Sequence, residues 1–284
     1  MSEDRRAAIA GVFDRAAPIY DAVGVDFFSV FGAQLVADAE VSAGERVLDV
    51  GCGRGASLLP AAEAVGSAGR VVGVDLAPAM VTATAADARQ RHFDHVEVVV
   101  GDAQEPPVSG SFDVVLAGLV LFFLPDPLAA LRAYHGLLRP EGRLAFTWFG
   151  HDDERWRWLG PLMRDLGAPQ SPSLTGHFSD VDSVQSLVEQ GGFTDVRTRE
   201  RKHETVFTDP QRWLTWVWSQ GMRYALERAS AEQLANFQSA AYGELAHMQR
   251  VDGSITLQTT VRYTSARTRT PPVMESVPPR ARRP

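Results

Sequence analysis

The run Val47-Leu48-Asp49-Val50-Gly51-Cys52-Gly53-Arg54-Gly55-Ala56-Ser57-Leu58 constrains the fold more than any other part of the chain. A short apolar strand pattern runs into glycines at alternate positions, Gly51, Gly53 and Gly55, and a helical pattern follows. Glycine lets the backbone turn sharply and approach a ligand with no side chain between them. A strand, turn and helix of this kind hold a nucleotide-like ligand at the carboxyl end of the strand. Taken alone, the run also satisfies the dinucleotide pattern Gly-x-Gly-x-x-Gly/Ala, so the neighbouring carboxylates have to decide the ligand.

Asp75 ends the next strand pattern, about 20 residues past the loop, where a carboxylate can accept hydrogen bonds from both ribose hydroxyls. That position suits NAD and S-adenosylmethionine equally. Asp49 sits inside the strand before the glycines and turns a negative charge toward the ligand. NAD would offer it a pyrophosphate of the same sign; S-adenosylmethionine offers an ammonium and a sulfonium, so the sign of the charge favours the latter. Asp102, in Val98-Val99-Val100-Gly101-Asp102-Ala103, supplies a third carboxylate positioned for an exocyclic adenine amine. Asp75 and Asp102 can also cap the helices that follow them, and Pro78 reinforces that reading for Asp75. Cys52 reads as a small residue packed under the loop.

Five apolar runs, Val47–Val50, Arg70–Val74, Val96–Val100, Phe112–Leu116 and Arg143–Trp148, alternate with helical stretches such as the one opened by Asp126-Pro127 and stopped by Pro140-Glu141-Gly142. Alternation of this kind implies an α/β fold with a mostly parallel sheet covered on both faces. Residues 1–40 read as a helical cap rich in aromatics, 41–150 as the ligand-binding core, and 151–270 as a lid and substrate region. That last region contains a helix over Asp180–Gln190, a strand over Phe193–Phe207, a helical stretch over Pro210–Gln249 and a final strand over Ile255–Tyr263. The tail 271–284, rich in Pro and Arg, is expected to be disordered.

With 284 residues, 45% of them hydrophobic, the chain can bury one substantial core. No stretch reaches the ~20 uncharged apolar residues of a membrane helix, and the N-terminus lacks a signal-peptide pattern, so a cytoplasmic protein with no membrane partner is expected. A net charge of −7 without a basic run in the folded part argues against nucleic acid. Cys52 is the only cysteine, and the seven histidines form no His-Glu-x-x-His pattern, so no metal is expected. Lys202 is the only lysine and no Gly-Lys-Ser/Thr follows the glycine loop, which removes the P-loop phosphate site.

Taken in series, VLDVGCGRG, VVGVDLAPAM, VEVVVGDA, FDVVLAGLVLFFLPD and LLRPEGRL resemble the successive motifs of class I S-adenosylmethionine-dependent methyltransferases. The chain is most similar to the ubiquinone and menaquinone biosynthesis (methyltransferase type 11) subgroup over about residues 12–148, including FDRAAPIYD. The resemblance implies a Rossmann-like sheet of seven strands with an antiparallel last strand and a lid inserted before it. It places Gly51, Gly53 and Gly55 by the amino-acid part of the cofactor, Asp75 and Leu76 by the ribose and adenine, and Asp102 and Ala103 by the adenine. Ala117, Gly118 and Leu119 fall at the methionine end, Tyr20 over the cofactor, and Met80 and Gly101 with the same set. Phe122-Phe123 stands where the family often has a histidine pair, and Pro140-Glu141-Gly142 replaces the usual Pro-Gly-Gly.

All six tryptophans fall at or after the fifth strand, so Trp148, Trp213 and Trp216 are candidates for an aromatic acceptor pocket, or else glue between lid and sheet. His151, directly after the fifth strand, is the candidate base, or a solvated loop histidine. The expected activity is O-, N- or C-methylation of a hydrophobic or aromatic small molecule, a secondary metabolite or a quinone-like compound. The alternatives are a member of this fold that binds S-adenosylmethionine without methylating, and an NAD-dependent oxidoreductase. The partner is a small-molecule methyl acceptor; a homodimer is compatible with the sequence, which does not fix the oligomeric state.

Overall fold

The computed structural model describes residues 3–151, 153–168 and 176–269. Seven strands form one sheet: β1 (Arg46–Val50), β2 (Arg70–Asp75), β3 (Val96–Val100), β4 (Phe112–Gly118), β5 (Leu138–Phe149), β6 (Thr194–Phe207) and β7 (Ile255–Arg267). Their order is β3-β2-β1-β4-β5-β7-β6. The first five run parallel, and β7 lies antiparallel between β5 and β6. This is the expected Rossmann-like architecture. Sequence order reverses between β1 and β4, and the crevice at such a reversal is where open α/β sheets bind ligands.

Ten helices accompany the sheet among the described residues: α1 (Glu3–Ala16), α2 (Phe28–Asp38), α3 (Leu58–Val65), α4 (Pro78–Gln90), α5 (Pro127–Leu137), α6 (Leu159–Asp165), α7 (Val181–Gln190), α8 (Pro210–Trp218), α9 (Arg223–Leu226) and α10 (Ala231–Met248). Side chains alternate across each strand. Val47 and Val71 therefore enter the core on the side of α2 and α3, while Leu48 and Val72 enter the core that holds Leu131 and Tyr134 of α5 and Leu187 of α7.

Three stretches depart from the expected boundaries. The N-terminal segment is two helices, because Asp21 and Gly24 take left-handed backbone conformations (φ +52° and +72°). The Asp21 carboxylate then accepts hydrogen bonds from the amides of Phe27, Phe28 and Ser29 and so starts α2. The stretch 210–249 is split into α8, α9 and α10; Ser230 and Gln233 form a reciprocal capping box at the start of α10. Strand β5 begins earlier than expected, since Pro140-Glu141-Gly142 is absorbed in a bulge where the pairing jumps from Phe112–Leu138 to Val114–Arg143. The tail 271–284 lies outside the described residues. Among the described residues no helix is long and apolar enough to cross a membrane.

Candidate active site

A cavity of about 620 Å³ opens at the carboxyl ends of β1, β2 and β4. The glycine loop forms its floor, with φ of +65° at Gly51, +50° at Gly53 and +80° at Gly55. The three glycines differ in what they permit. A Cβ on Gly51 would strike the Val120 side chain at 2.6 Å and one on Gly55 would strike Leu59 at 2.9 Å, whereas a Cβ on Gly53 would meet nothing within 4 Å. Gly51 and Gly55 thus let protein pack against the turn, and Gly53 leaves space open.

The loop is stitched to its surroundings. The Cys52 amide donates to the Val74 carbonyl at 3.0 Å, and the Thr84 hydroxyl donates to the Gly53 carbonyl at 2.6 Å. The Asp75 carboxylate accepts from the Gly53 amide at 2.8 Å and from the Ala77 amide at 2.9 Å. Asp75 thus fixes the loop and starts α4 with the same two oxygens. Burial pushes its pKa upward, and these amide hydrogen bonds oppose the rise.

Asp49 is 1% exposed, and its Oδ2 has no hydrogen-bond partner. Burial, and then the nearby negative charge of Asp75, hold its pKa well above the ordinary carboxylate range. A buried carboxylate oxygen without a donor is costly, and a cation in the cavity would relieve that cost. At the third strand end, the Asp102 carboxylate accepts from the Gln104 amide at 2.8 Å, and the Tyr134 hydroxyl holds the Ala103 carbonyl at 2.6 Å. Leu119, with φ +52°, donates its amide to the Thr147 hydroxyl at 3.0 Å.

The N-terminal segment closes the cavity from above. Tyr20 stacks on Phe28 with ring centroids 4.7 Å apart and meets Phe13 edge-on; burial raises its phenol pKa. Arg54, on the loop, donates to the Ala17 carbonyl at 2.6 Å and pairs with Asp87 at 2.7 Å. The Ala79 amide donates to Asp14 at 2.8 Å, tying α1 to α4.

Of the residues singled out in the sequence, Tyr20, Asp49, Gly51, Gly53, Gly55, Asp75, Leu76, Met80, Asp102, Ala103, Gly118 and Leu119 line this one cavity. Six others do not. Ala117 is fully buried below the end of β4. Gly101 is packed, since a Cβ there would meet Pro107 at 2.4 Å. Trp148 is buried in the sheet with its indole N–H on the Thr264 hydroxyl and the Arg262 guanidinium over its ring. Trp213 packs among Trp156, Trp158 and Phe237, and Trp216 between Phe27 and Phe207. Both belong to the core joining the lid to the sheet. His151 is an exposed residue in a bend after β5. The aromatic lining comes instead from Phe28, Phe31, Phe122, Phe123 and Phe149, with Gln220 and Gly221 from the lid. The signal for Phe28 and Phe31 is their spacing of three within the aromatic-rich helical pattern of the N-terminal segment. Phe149 and Gln220 carried none.

The first of the comparisons with known proteins is a family model described as a methyltransferase domain, which matches residues 48–146. The nocamycin O-methyltransferase of Saccharothrix syringae is 37% identical over 275 residues, 91% of this chain and 98% of the relative. The chain belongs to the class I S-adenosylmethionine-dependent methyltransferases. A second member of this methyltransferase family, the 2-phytyl-1,4-naphtoquinone methyltransferase of Thermosynechococcus vestitus, is 31% identical over 66% of this chain and 92% of its own. The fold is shared with the crystal structure of YcgJ from Bacillus subtilis, at 17% identity and TM-score 0.56 over 85% of this chain and 99% of that one.

Proposed function

We propose that the chain transfers a methyl group from S-adenosylmethionine to an oxygen of a hydrophobic, aromatic small molecule, with the cofactor along the glycine loop and the acceptor against the phenylalanine wall. The observation that carries this reading is the orphaned oxygen of Asp49 beneath the loop. An ammonium or sulfonium relieves a buried anion, and a pyrophosphate would aggravate it.

In this reading Asp49 faces the cationic amino-acid end of the cofactor, Gly53 leaves room for it, and Gly118 and Leu119 border it. Asp75 and Leu76 take the ribose and adenine side, with Met80, Asp102 and Ala103 beside the adenine and Tyr20 above. The segment 1–40 acts as a cap, 41–150 as the cofactor-binding core, and 151–270 as the lid and the last strands. S-adenosylmethionine supplies an electrophilic methyl on a sulfonium. The protein's share is alignment and the exclusion of water, which can be worth effective molarities of ~10⁵ M or more. Transfer to oxygen is supported by the nocamycin relative, an O-methyltransferase that aligns over 91% of this chain.

The test is calorimetric titration with S-adenosylmethionine, S-adenosylhomocysteine and NAD on the wild type and Asp75→Ala. Micromolar binding of the first two is expected, with no binding of NAD. Loss of the charge-assisted hydrogen bonds in the variant should weaken both by roughly tenfold to a hundredfold. Binding of NAD alone would sink the reading.

A further inference from the structure

Arg54 stands between Gly53 and Gly55, and its guanidinium reaches out of the glycine loop to join two other elements. Nη1 donates to the Ala17 carbonyl at 2.6 Å, and Nη2 pairs with the Asp87 carboxylate of α4 at 2.7 Å. Ala17 directly follows α1, where a helix leaves its last carbonyls without intrahelical donors and carries the negative end of its dipole. A guanidinium arriving there from another element caps α1 and fixes it to the loop. The ion pair is largely shielded from water, with 20% of the Arg54 side chain and 33% of the Asp87 side chain exposed.

Beyond Ala17 the chain makes a tight turn, in which the amides of Ile19 and Tyr20 both donate to the Ala16 carbonyl, at 2.9 and 2.8 Å. The turn passes the position of Ala17 on to Tyr20, whose ring lines the cavity and stacks on Phe28. Arg54 makes this connection against a local penalty. Its Nε is buried with no hydrogen-bond partner, and an unpaired buried donor destabilises the fold. Departures of this kind from the locally best residue concentrate at functional sites.

We infer that Arg54 is a positioning residue for the cofactor, holding Tyr20 over it through Ala17 and so setting how long the cofactor stays bound. The inference rests on the proposed place of S-adenosylmethionine along the glycine loop and names the residue that ties the roof to that loop. Losing the guanidinium frees the roof, while Asp75 and Thr84 still hold the Gly53 amide and carbonyl and keep the floor in shape. The effect therefore falls on release rather than capture, since a roof closes on a ligand that has already entered.

The experiment measures association and dissociation rates of S-adenosylhomocysteine by surface plasmon resonance on the wild type, Arg54→Met, Tyr20→Ala and the double variant. Arg54→Met should release the ligand roughly tenfold to a hundredfold faster, with an association rate within about threefold of the wild type. The double variant should release it no faster than Tyr20→Ala alone, because Arg54 acts through that ring; an arginine that only stabilises the fold would give additive losses instead. Should Arg54→Met fail to fold, Asp87→Asn replaces it in the same cycle, since Asp87 holds the guanidinium, with a smaller effect in the same direction. Unchanged release, a change confined to association, or additive losses in the double variant would each overturn the inference. Absence of binding to the wild type would instead refute the placement of the cofactor itself, so the two failures are told apart by the wild-type sensorgram.

Discussion

Gly32, in the middle of α2, packs against the backbone that directly follows the glycine loop. A Cβ at this position would stand 2.1 Å from the carbonyl oxygen of Ala56, 2.2 Å from its carbonyl carbon and 2.7 Å from the Ser57 amide nitrogen. These are backbone atoms directly after the glycine loop, so no rotamer change can relieve the clash. Restoring ordinary contact requires α2 to move off by more than about 1 Å. In Gly32→Ala the helix-propensity gain of about 1 kcal/mol opposes an overpacking cost of about 1–3 kcal/mol. The net expectation is a loss of up to about 2 kcal/mol, a fall in Tm of roughly 2–6 °C. Because Phe28 and Phe31 ride on α2, the same displacement should cost on the order of a hundredfold in methyl transfer. Gly136, inside α5, is the matched control: a Cβ there meets nothing within 4 Å. Gly136→Ala should gain about 1 kcal/mol and keep full affinity for S-adenosylhomocysteine. Differential scanning calorimetry and cofactor titration of the pair decide the matter. If Gly32→Ala is as stable and as active as Gly136→Ala, the seating of α2 against the loop described above is wrong.

Three further outcomes follow from the site and its supports. Asp49 has a folded pKa raised above its unfolded value of about 3.9. Its contribution to stability is therefore complete below that value and disappears as pH rises through the folded pKa, so Asp49→Asn should make the apoprotein more stable at neutral pH while weakening S-adenosylmethionine binding, as read from urea unfolding and titration. Glu227 joins Arg15 of α1 to Arg223 and has its pKa lowered to about 2 by those two guanidiniums. Its stabilisation is present above its unfolded value of about 4.3 and is lost as pH falls toward 2, so Glu227→Gln should remove that acid-side slope of the unfolding curve. Trp213→Phe should destabilise the lid by about 1–3 kcal/mol yet leave the acceptor KM within twofold, since Trp213 lies in the core and its indole N–H has no partner to lose; a large KM change would place it in the pocket after all.

The parts of this fold that were legible in the sequence are those governed by local rules. Short continuous apolar runs marked β1 to β4 and the body of β5, and the alternating glycines marked the turn, because both depend on residues within a few positions of one another. The three strand-end aspartates were legible because a parallel sheet places every strand end on one edge. What each carboxylate does with its oxygens was not. Asp75 spends both on the amides of Gly53 and Ala77, while Asp49, of the same residue type and two positions before the loop, leaves one unpaired. That difference arises from tertiary contacts: Asp75 lines the cavity with both oxygens already bonded to the loop and to α4, while Asp49 keeps an unpaired oxygen.

The tryptophans make the same point about the lid. Their abundance after β5 signalled an aromatic region, but composition does not say which face of a helix turns inward. On α8 the face carrying Trp213 and Trp216 turns to the core against Phe207 and Phe27. The cavity wall is assembled instead from phenylalanines on α2, on the short helix Leu121–Phe123 and at the end of β5. By the resemblance to the quinone methyltransferases, Phe122 and Phe123 fall at positions that often hold histidines, and here they give the cavity an apolar surface. A histidine there would offer a base to a weakly acidic hydroxyl, whereas a phenylalanine offers only an apolar surface and exclusion of water. Phe123→His, on a residue already 43% exposed at the cavity, therefore tests the reasoning in reverse. It should leave folding intact and add an ionisation near pH 6.5 to the rate profile of a weakly acidic aromatic alcohol such as 2-naphthol, read by product mass; a profile identical to the wild type's would refute the placement of Phe123 at the acceptor.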